Sequence, residues 1–176
     1  GSGFAIKKLL PMVKKLRPVP GRMQCLNSTD GVTAVVDYAH TPDALEQVLE
    51  SLRAHTQGKL HCVFGCGGDR DRKKRPLMGA IAARLADTAI ITNDNPRSEA
   101  PDAIARDIQA GVGAESLPVQ LDREQAIREA IANAEAGDIV LIAGKGHENY
   151  QQFSEQRLAF SDEKIARLAL AERGEQ

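Results

Sequence analysis

Short apolar runs alternate with amphipathic stretches along most of this chain, and this alternation restricts the possible folds more than any other feature. The apolar runs are Val32 to Tyr38, Leu60 to Phe64, Thr88 to Thr92 and Asp138 to Ala143. Runs of this kind separated by helical patterns are typical of repeated βαβ units. We therefore predict an α/β, Rossmann-like fold: a doubly wound, mainly parallel sheet with helices on both faces, in which Asp138 to Ala143 is the central strand.

The expected helices begin at residues that commonly start helices. Thr41 offers an N-cap and Pro42 a first-turn residue, Pro76 and Pro101 open the next two helices, Asp122 with Gln125 resembles a capping box, and Ser161 caps the last helix. The apolar spacing predicts that the first helix buries Leu45, Val48, Leu49 and Leu52, the second Leu77, Ile81 and Leu85, the third Ile104 and Ile108, the fourth Ile127 and Ile131, and the last Ile165 and Leu168. Gly137 is expected to end the fourth helix.

Composition limits the classes of function. With 176 residues, 42% of them hydrophobic, the chain can bury one well-packed core. A formal net charge of −1 gives no general attraction to nucleic acid or to an anionic membrane, and no run approaches the roughly 20 apolar residues of a membrane-spanning helix. Cys25, Cys62 and Cys66 form neither a disulfide framework nor the usual spacing of a zinc site. We expect a cytoplasmic protein with no metal site in this chain.

Polar loops follow four of the predicted strands. They begin at Asp37, Gly65, Asp94 and Gly144. Because the carboxyl ends of parallel strands lie at one edge of a sheet, where open α/β folds bind ligands, we expect these loops to converge. Turn formation explains each loop singly, but their convergence favours a binding site.

The loop Asp94-Asn95-Pro96-Arg97-Ser98-Glu99 carries the most specific chemistry. An arginine there can bind a carboxylate through two parallel N–H bonds, while Asp94 and Asn95 can accept from an ammonium group. This combination suits a zwitterionic ligand. A surface turn is the alternative explanation, because Asp, Asn and Pro are common turn residues.

The glycine-rich loops do not match the common nucleotide-binding motifs. Around Gly144-Lys145, Ile139 occupies the first glycine position of a P-loop and Gly146 replaces its Ser/Thr. Gly65-Cys66-Gly67 is followed by Arg70 where a dinucleotide fingerprint needs a third glycine. We therefore predict no self-contained triphosphate or dinucleotide site.

Several side chains suggest acid–base or nucleophilic chemistry without completing it. His40 could act as a base, contact a ribose or cap a helix; His147 could be oriented by Glu148; and Cys66 could be a nucleophile beside Asp69. No serine or cysteine is placed to complete a triad. Asp69 and Asp71 are expected to form a salt-bridged loop with Arg70 and Arg72.

Taken together and in this order, these loops resemble the C-terminal domain of the Mur ligase family, over residues 21 to 176. The resemblance rests on Gly21-Arg22-Met23, on residues 37–45 (DYAHTPDAL), on residues 64–71 (FGCGGDRD), on Lys74-Arg75-Pro76-Leu77-Met78, on Asp94-Asn95-Pro96-Arg97 and on Gly144-Lys145-Gly146-His147-Glu148. In that family, ATP activates a carboxylate of a uridine-nucleotide-linked substrate and an incoming amino acid attacks it, which forms an amide.

The resemblance implies a specific amino acid and a specific set of residues. It is strongest to members that add meso-diaminopimelate to UDP-N-acetylmuramoyl-L-alanyl-D-glutamate in peptidoglycan synthesis. It assigns meso-diaminopimelate binding to Arg70, Asp94, Asn95, Pro96, Arg97, Gly144 and Glu148. It assigns Arg22, Asp37 and His40 to the nucleotide side. Arg97 would recognise the distal carboxylate that distinguishes diaminopimelate from lysine.

The resemblance also implies that the chain lacks the catalytic half of such an enzyme. Full-length members carry a domain for the uridine nucleotide and a central domain with the P-loop and the magnesium ligands. We expect residues 1–20 to be a cloning remnant, Gly1-Ser2-Gly3, followed by the tail of that central domain. The full enzyme would use ATP and Mg²⁺, but this chain is expected to hold neither, to contain no catalytic residue, to fold alone and to bind diaminopimelate weakly.

Two other hypotheses remain open at this point. A stand-alone small-molecule-binding or regulatory domain would have the same cleft but no exposed face for a partner domain around Arg22. A hydrolase would need Cys66 or a serine within hydrogen-bonding reach of His40 or His147.

Overall fold

A computed structural model describes residues 21–114 and 116–173 of the chain. The domain tail that we expect within residues 1–20 lies outside the described residues.

A five-stranded sheet forms the centre of the molecule. Its strands are β1 (Gln24–Asn27), β2 (Thr33–Asp37), β3 (Leu60–Phe64), β4 (Thr88–Ile91) and β5 (Ile139–Ala143), in the order β1-β2-β5-β3-β4. Only β1 runs antiparallel to its neighbour, whereas β2, β5, β3 and β4 pair in parallel. The apolar strand β5 is central and fully buried, as its sequence predicts.

Helices cover both faces of the sheet. They are α1 (Pro42–Arg53), α2 (Lys74–Leu85), α3 (Pro101–Gln109), α4 (Arg123–Ala132) and α5 (Asp162–Arg173). The core on one face joins the sheet to α1, α2 and α3, and the core on the other face joins it to α4 and α5. This arrangement confirms the doubly wound α/β fold.

The structure corrects several details of the helix predictions. Helix α2 begins at Lys74 rather than at Pro76, and Leu77 is 56% exposed because the buried face of α2 is formed by Arg75, Met78, Gly79 and Ala82. Helix α4 ends at Ala132, not at Gly137, which lies in the turn before β5. Leu168 of α5 is also exposed.

The predicted N-caps of α1 and α4 are confirmed, but the predicted capping box of α4 is only half formed. The side chains of Thr41 and Asp122 accept hydrogen bonds from backbone N–H groups of the first turns of α1 and α4. The reciprocal half of the capping box is absent, because the Gln125 amide donates to Glu129 instead of reaching back to the N-cap.

A hairpin near the end of the chain is the main element that the sequence patterns do not reveal. It consists of β6 (Tyr150–Phe153) and β7 (Gln156–Ala159), which pair antiparallel in a separate two-stranded sheet. The sequences of the two strands, YQQF and QRLA, do not alternate between apolar and polar residues, and β7 is exposed throughout, so no strand pattern marks them.

Replacement of Gly79 by alanine is expected to destabilise the fold. In an exposed helix this change stabilises by about 1 kcal/mol through helix propensity. At Gly79, however, a Cβ atom would lie 2.2 Å from the carbonyl oxygen of Ile108, where α2 crosses α3. We expect a net loss of about 1–3 kcal/mol, the usual cost of overpacking, in urea denaturation. Ser51→Ala, on the exposed face of α1, is the control and should change stability by less than about 0.5 kcal/mol. An increase in stability for Gly79→Ala would contradict the close helix contact.

Candidate functional site

The loops that follow β2, β3, β4 and β5 meet at the carboxyl edge of the sheet and enclose a cleft of about 520 Å³. Fourteen residues line it: Tyr38, His40, Thr41, Pro42, Gly67, Arg70, Asp71, Lys74, Asp94, Asn95, Arg97, Gly144, Glu148 and Tyr150. The predicted convergence of the four loops is therefore present in the structure.

Most of the residues predicted to bind a ligand lie in this cleft. Six of the seven residues assigned to the amino acid line it: Arg70, Asp94, Asn95, Arg97, Gly144 and Glu148. Pro96 does not. It is buried behind the wall, and its carbonyl oxygen would lie 1.8 Å from a Cβ atom at Gly68. The packing of Pro96 against Gly68 therefore locks the loop after β4 to the loop after β3.

Of the residues assigned to the nucleotide side, only His40 lines the cleft. The Asp37 carboxylate accepts from the backbone N–H groups of Met23 (2.7 Å) and Ala39 (2.8 Å), so it holds the start of β1 against the loop after β2. The Arg22 guanidinium is exposed and lies 5.7 Å from the centroid of the Tyr38 ring.

Arg97 has a strained backbone that the β6–β7 hairpin stabilises. Its φ of 53° lies in the left-handed region, which is uncommon for a residue other than glycine. The Arg97 N–H donates to the carbonyl of Gln152 (3.0 Å), and the Ser154 N–H donates to the carbonyl of Arg97 (2.7 Å). Such strain persists only where neighbours hold it, and it often marks a functional site. Here it aims the side chain toward Gly68, whose carbonyl accepts from Nη1 at 2.8 Å.

Within residues 21–114 and 116–173, Arg70 and Arg97 form no ion pair with an Asp or Glu side chain, and the same holds for Arg22, Arg106 and Arg157, which lie outside the cleft. Among residues 21–114 and 116–173, ion pairs join Arg53, Arg72, Arg75, Arg84, Arg123, Arg128, Arg167 and Arg173 to Asp or Glu side chains. Arg70 and Arg97 instead donate to the backbone carbonyls of Asp69 and Gly68. The cleft thus contains two guanidinium groups whose N–H groups can donate hydrogen bonds to an anionic group of a ligand.

Asp94 and Glu148 are two of the three carboxylates that line the cleft, and Asp71 is the third. Glu148 Oε2 accepts from Asn95 Nδ2 (2.9 Å) and from Lys145 Nζ (3.1 Å). Burial raises the pKa of Glu148, but these hydrogen bonds and the charges of Lys145 and Arg97 outweigh it, so the pKa lies below its ordinary value. Burial raises the pKa of Asp94, against the opposing charges of Arg123 and Lys145. The cleft therefore combines cationic and anionic groups.

Asn95 lines the cleft, and its side chain also bonds within the domain. Its Oδ1 accepts from Lys145 Nζ (3.0 Å) and from the Gln152 N–H (2.9 Å), and its Nδ2 donates to Glu148. Asn95 therefore ties the hairpin, the loop after β5 and Glu148 together, and its contact with the amino acid stays a prediction.

A buried ion pair positions the loops that follow β4 and β5. Arg123 and Asp162 are both fully buried and form a bidentate pair at 2.8 Å, which joins the first residues of α4 and α5. The remaining N–H groups of Arg123 donate to the carbonyls of Asn93 (3.2 Å) and Ala143 (3.0 Å). Those carbonyls precede the two cleft loops, so this pair fixes where both loops leave the sheet.

The loop after β3 is held by a second arginine, not by the predicted salt bridges among its own residues. Asp69 accepts from the Ser98 hydroxyl (2.6 Å), and Asp71 accepts from the Lys73 N–H (2.9 Å). Fully buried Arg75 donates to both Glu99 oxygens, at 2.8 and 3.0 Å, and to Gly67 O at 3.2 Å. Hydrogen bonds from Arg75 lower the pKa of Glu99 to about 2, against the opposing effect of burial.

Glu99→Gln is expected to reduce stability in a pH-dependent way. Because folding depresses the pKa of Glu99 from its ordinary 4.5 to about 2, its stabilisation is fully present above about pH 4.5 and is lost as the pH falls toward 2. The gap in urea stability between wild type and Glu99→Gln should therefore be large at pH 7 and shrink below pH 4.5. Glu163→Gln, which removes an exposed pair with Arg167 on α5, should show only a small gap at pH 7. A gap for Glu99→Gln that stays constant with pH would contradict the assignment.

The histidines and cysteines do not form a nucleophilic site. Cys66 is buried with its Sγ 3.6 Å from Met78 Sδ, and burial raises the pKa of its thiol to about 12. His40 Nδ1 contacts the carbonyl of Tyr38 at 2.8 Å, while the ring of His147 packs against that of Tyr38. Glu148 bonds to Asn95 and Lys145, so it does not orient His147 as proposed from the sequence.

Neither a metal site nor a membrane-spanning helix is present among the described residues. Residues 21–114 and 116–173 contain no group of three or more His, Cys, Asp or Glu side chains that could hold a metal ion. No helix in the same ranges has the length and apolarity to cross a membrane.

Sequence reasoning missed several residues of the site. Tyr38, Lys74 and Tyr150 line the cleft, and Lys145 is fully buried behind its wall. Tyr38 and Lys74 lie within or beside motifs already singled out, so their positions were available as a signal. Tyr150 is brought in by the hairpin, which no periodicity marks.

The structure thus defines a Rossmann-like α/β domain with a charged cleft, suited to a small zwitterion, at the carboxyl edge of its sheet. The chain belongs to the Mur ligase family, because residues 21–146 match the model of the family described as Mur ligase, glutamate ligase domain.

Curated relatives agree with this assignment. The chain is 56% identical over 173 residues to a UDP-N-acetylmuramoyl-L-alanyl-D-glutamate–2,6-diaminopimelate ligase of Synechococcus elongatus, covering 97% of this chain and 35% of that protein. It is 56% identical over 164 residues to the ligase of the same name from Coxiella burnetii, covering 93% and 34%. A solved structure of a ligase of that name superposes with a TM-score of 0.82 at 46% identity, covering 98% of this chain and 36% of that one. The chain therefore spans about a third of the length of these relatives.

Proposed function

We propose that this chain is the amino-acid-binding domain of an ATP-dependent, amide-forming ligase that adds meso-diaminopimelate to UDP-N-acetylmuramoyl-L-alanyl-D-glutamate in peptidoglycan synthesis. The observation that carries the proposal is the charge arrangement of the cleft. Arg70 and Arg97 line it without carboxylate partners, while Asp94 and Glu148 line it as acceptors. The names of the two relatives supply the identity of the amino acid.

The cleft would distinguish diaminopimelate from lysine by charge. Diaminopimelate carries a second carboxylate, next to its distal ammonium, that lysine lacks. The Arg97 guanidinium, held by the hairpin, would bind that carboxylate, with Arg70 beside it, while Glu148 and Asp94 would accept from an ammonium group. Lysine would leave the Arg97 charge without a partner, and a partly buried charge without a partner weakens binding.

ATP and Mg²⁺ belong to the proposed reaction but not to a site built by this chain alone. The sequence lacks a P-loop, and the described residues form no cluster that could hold a metal ion. We propose that ATP, Mg²⁺ and the uridine-linked dipeptide are held mainly by other parts of a longer protein. On this proposal Arg22, Asp37 and His40 border the nucleotide, Asp37 by holding the backbone and His40 by lining the cleft.

The domain assignment is also part of the proposal. Residues 21–176 would form the C-terminal domain of a cytoplasmic enzyme, and residues 4–20 the tail of the domain before it. Arg22 and Met23 are exposed at the start of the described structure. That the chain spans about a third of the length of its relatives supports further domains over the stand-alone binding domain that the sequence left open.

The test is a comparison of amino acids in two settings. Calorimetric titration of this chain with meso-diaminopimelate, and with L-lysine as the control, would show whether the isolated cleft is already selective. Amide formation by the full-length ligase that contains this chain is then measured with each amino acid. We expect the ligase to use meso-diaminopimelate and to discriminate strongly against L-lysine. Equal use of the two amino acids would overturn the proposal.

A further inference from the structure

Lys145 occupies an unusual position for a lysine. It follows β5 and Gly144, its side chain is fully buried, and it does not line the cleft. Lysine is almost never fully buried unless its charge is paired. Its Nζ donates to Asn95 Oδ1 (3.0 Å) and Glu148 Oε2 (3.1 Å), and it lies 5.4 Å from the centroid of the Tyr150 ring. All three partners line the cleft, so Lys145 supports its wall from behind.

Both hydrogen bonds that hold Glu148 end on the same oxygen. Lys145 Nζ and Asn95 Nδ2 donate to Oε2, and no described residue donates to Oε1. A carboxylate has acceptor capacity on both oxygens. Because the Glu148 side chain is partly exposed to the cleft, Oε1 is the oxygen available to a ligand.

Lys145 also connects Glu148 to the segment that carries Arg97. Its Nζ bonds to Asn95 Oδ1, and the backbone carbonyl of the same Asn95 accepts from Arg97 Nη1 (3.4 Å) and from the Gly68 N–H (2.9 Å). The charged groups that act on Glu148 come from three segments: Lys145 after β5, Asp94 and Arg97 after β4, and Arg123 at the start of α4. Of these, only Lys145 bonds to the Glu148 carboxylate directly.

We propose that Lys145 is a positioning residue for amino-acid selection: its buried ammonium fixes Glu148 through Oε2 and thereby presents Oε1 to an ammonium group of the ligand. The inference rests on the proposed function for the identity of the ligand. It goes beyond that function in assigning selection to a residue that does not touch the ligand.

The first test needs no ligand. The titration of Glu148 in this chain is followed by NMR of its carboxyl carbon in wild type, Lys145→Met and Lys145→Gln. Loss of the Lys145 charge and hydrogen bond should raise the pKa of Glu148 in both variants. Lys74→Met is the matched control, because Lys74 lines the same cleft but donates to the carbonyl of His40. A Glu148 titration that is unchanged in the Lys145 variants would overturn the inference. Lys145→Gln keeps a neutral donor, so it serves if Lys145→Met does not fold.

The second test uses the full-length ligase. Lys145→Met should raise the KM for meso-diaminopimelate by about 10- to 100-fold, the loss expected when a hydrogen bond to a charged group is weakened. The kcat at saturating amino acid should change much less. In a Glu148→Gln background, Lys145→Met should add little further loss, because both changes remove the same interaction. Additive losses, or an unchanged KM, would overturn the inference.

The two tests separate the inference from the proposed function. If the wild-type ligase does not prefer meso-diaminopimelate, the proposed function fails, and the NMR titration still decides whether Lys145 holds Glu148. If the ligase does prefer it and Lys145→Met retains the wild-type KM, the inference fails and the proposed function stands.

Discussion

On the proposed function, Arg97→Ala in the full-length ligase is expected to raise the KM for meso-diaminopimelate by about 100-fold and to remove most of the preference over L-lysine. The physical reason is that neighbouring residues fix the position of Arg97, so that its guanidinium is preorganised to bind an anionic group. Its backbone is held in a left-handed conformation by the hairpin, and Nη1 is anchored on Gly68 O. No described carboxylate bonds to its guanidinium. The measurement is the ratio of kcat/KM values for the two amino acids.

A matched arginine separates this effect from a general loss of positive charge. Arg106 of α3 is exposed and lies outside the cleft, so Arg106→Ala should leave the ratio unchanged. Arg97→Lys keeps the charge but loses the planar pair of donors, and it should restore only part of the discrimination. If Arg97→Ala retained full discrimination between the two amino acids, Arg97 would not be the residue that selects diaminopimelate, and Arg70 would be the next candidate.

Arg123→Met is expected to produce the largest loss of stability, about 3–5 kcal/mol, because it leaves the Asp162 carboxylate buried without its partner. Both side chains are fully buried, and Arg123 also satisfies the carbonyls of Asn93 and Ala143. The measurement is urea denaturation of this chain. Arg128→Met, which removes more exposed ion pairs on the same helix, is the control and should cost about 1 kcal/mol or less.

The double variant Arg123→Met with Asp162→Leu distinguishes the pair from its carbonyl contacts. Removal of both charges should recover much of the stability, since an apolar replacement of a buried pair is often neutral. Recovery should stay incomplete by about 1–3 kcal/mol, because two backbone carbonyls lose their donors. A single variant that unfolds at the same urea concentration as wild type would contradict the role given to this pair.

Local patterns were sufficient to predict the strands β2 to β5 and the five helices, because spacing and capping residues act within each segment. The apolar run in β5 is typical of a strand buried on both faces, and Thr41 with Pro42 is typical of the start of a helix. The buried face of helix α2 was assigned wrongly from the sequence, because contacts with distant residues decide which side chains it buries. It buries the charged Arg75, whose cost is met by Glu99 and Asp107, and it leaves Leu77 exposed. Hydropathy alone predicts that Leu77 is buried and that Arg75 is exposed.

In the site, too, some features follow from the sequence and others only from the tertiary structure. The sequence by itself determined the sheet, the convergence of four loops at its carboxyl edge, and the presence of Arg70, Arg97 and Glu148 in one cleft, because strand direction fixes where loops meet. Only the tertiary structure decided the supporting roles. Asn95 connects Lys145, Gln152 and Glu148, and Lys145 is a buried partner of Glu148. These roles depend on which donors and acceptors meet across distant segments, and no local pattern carries that information.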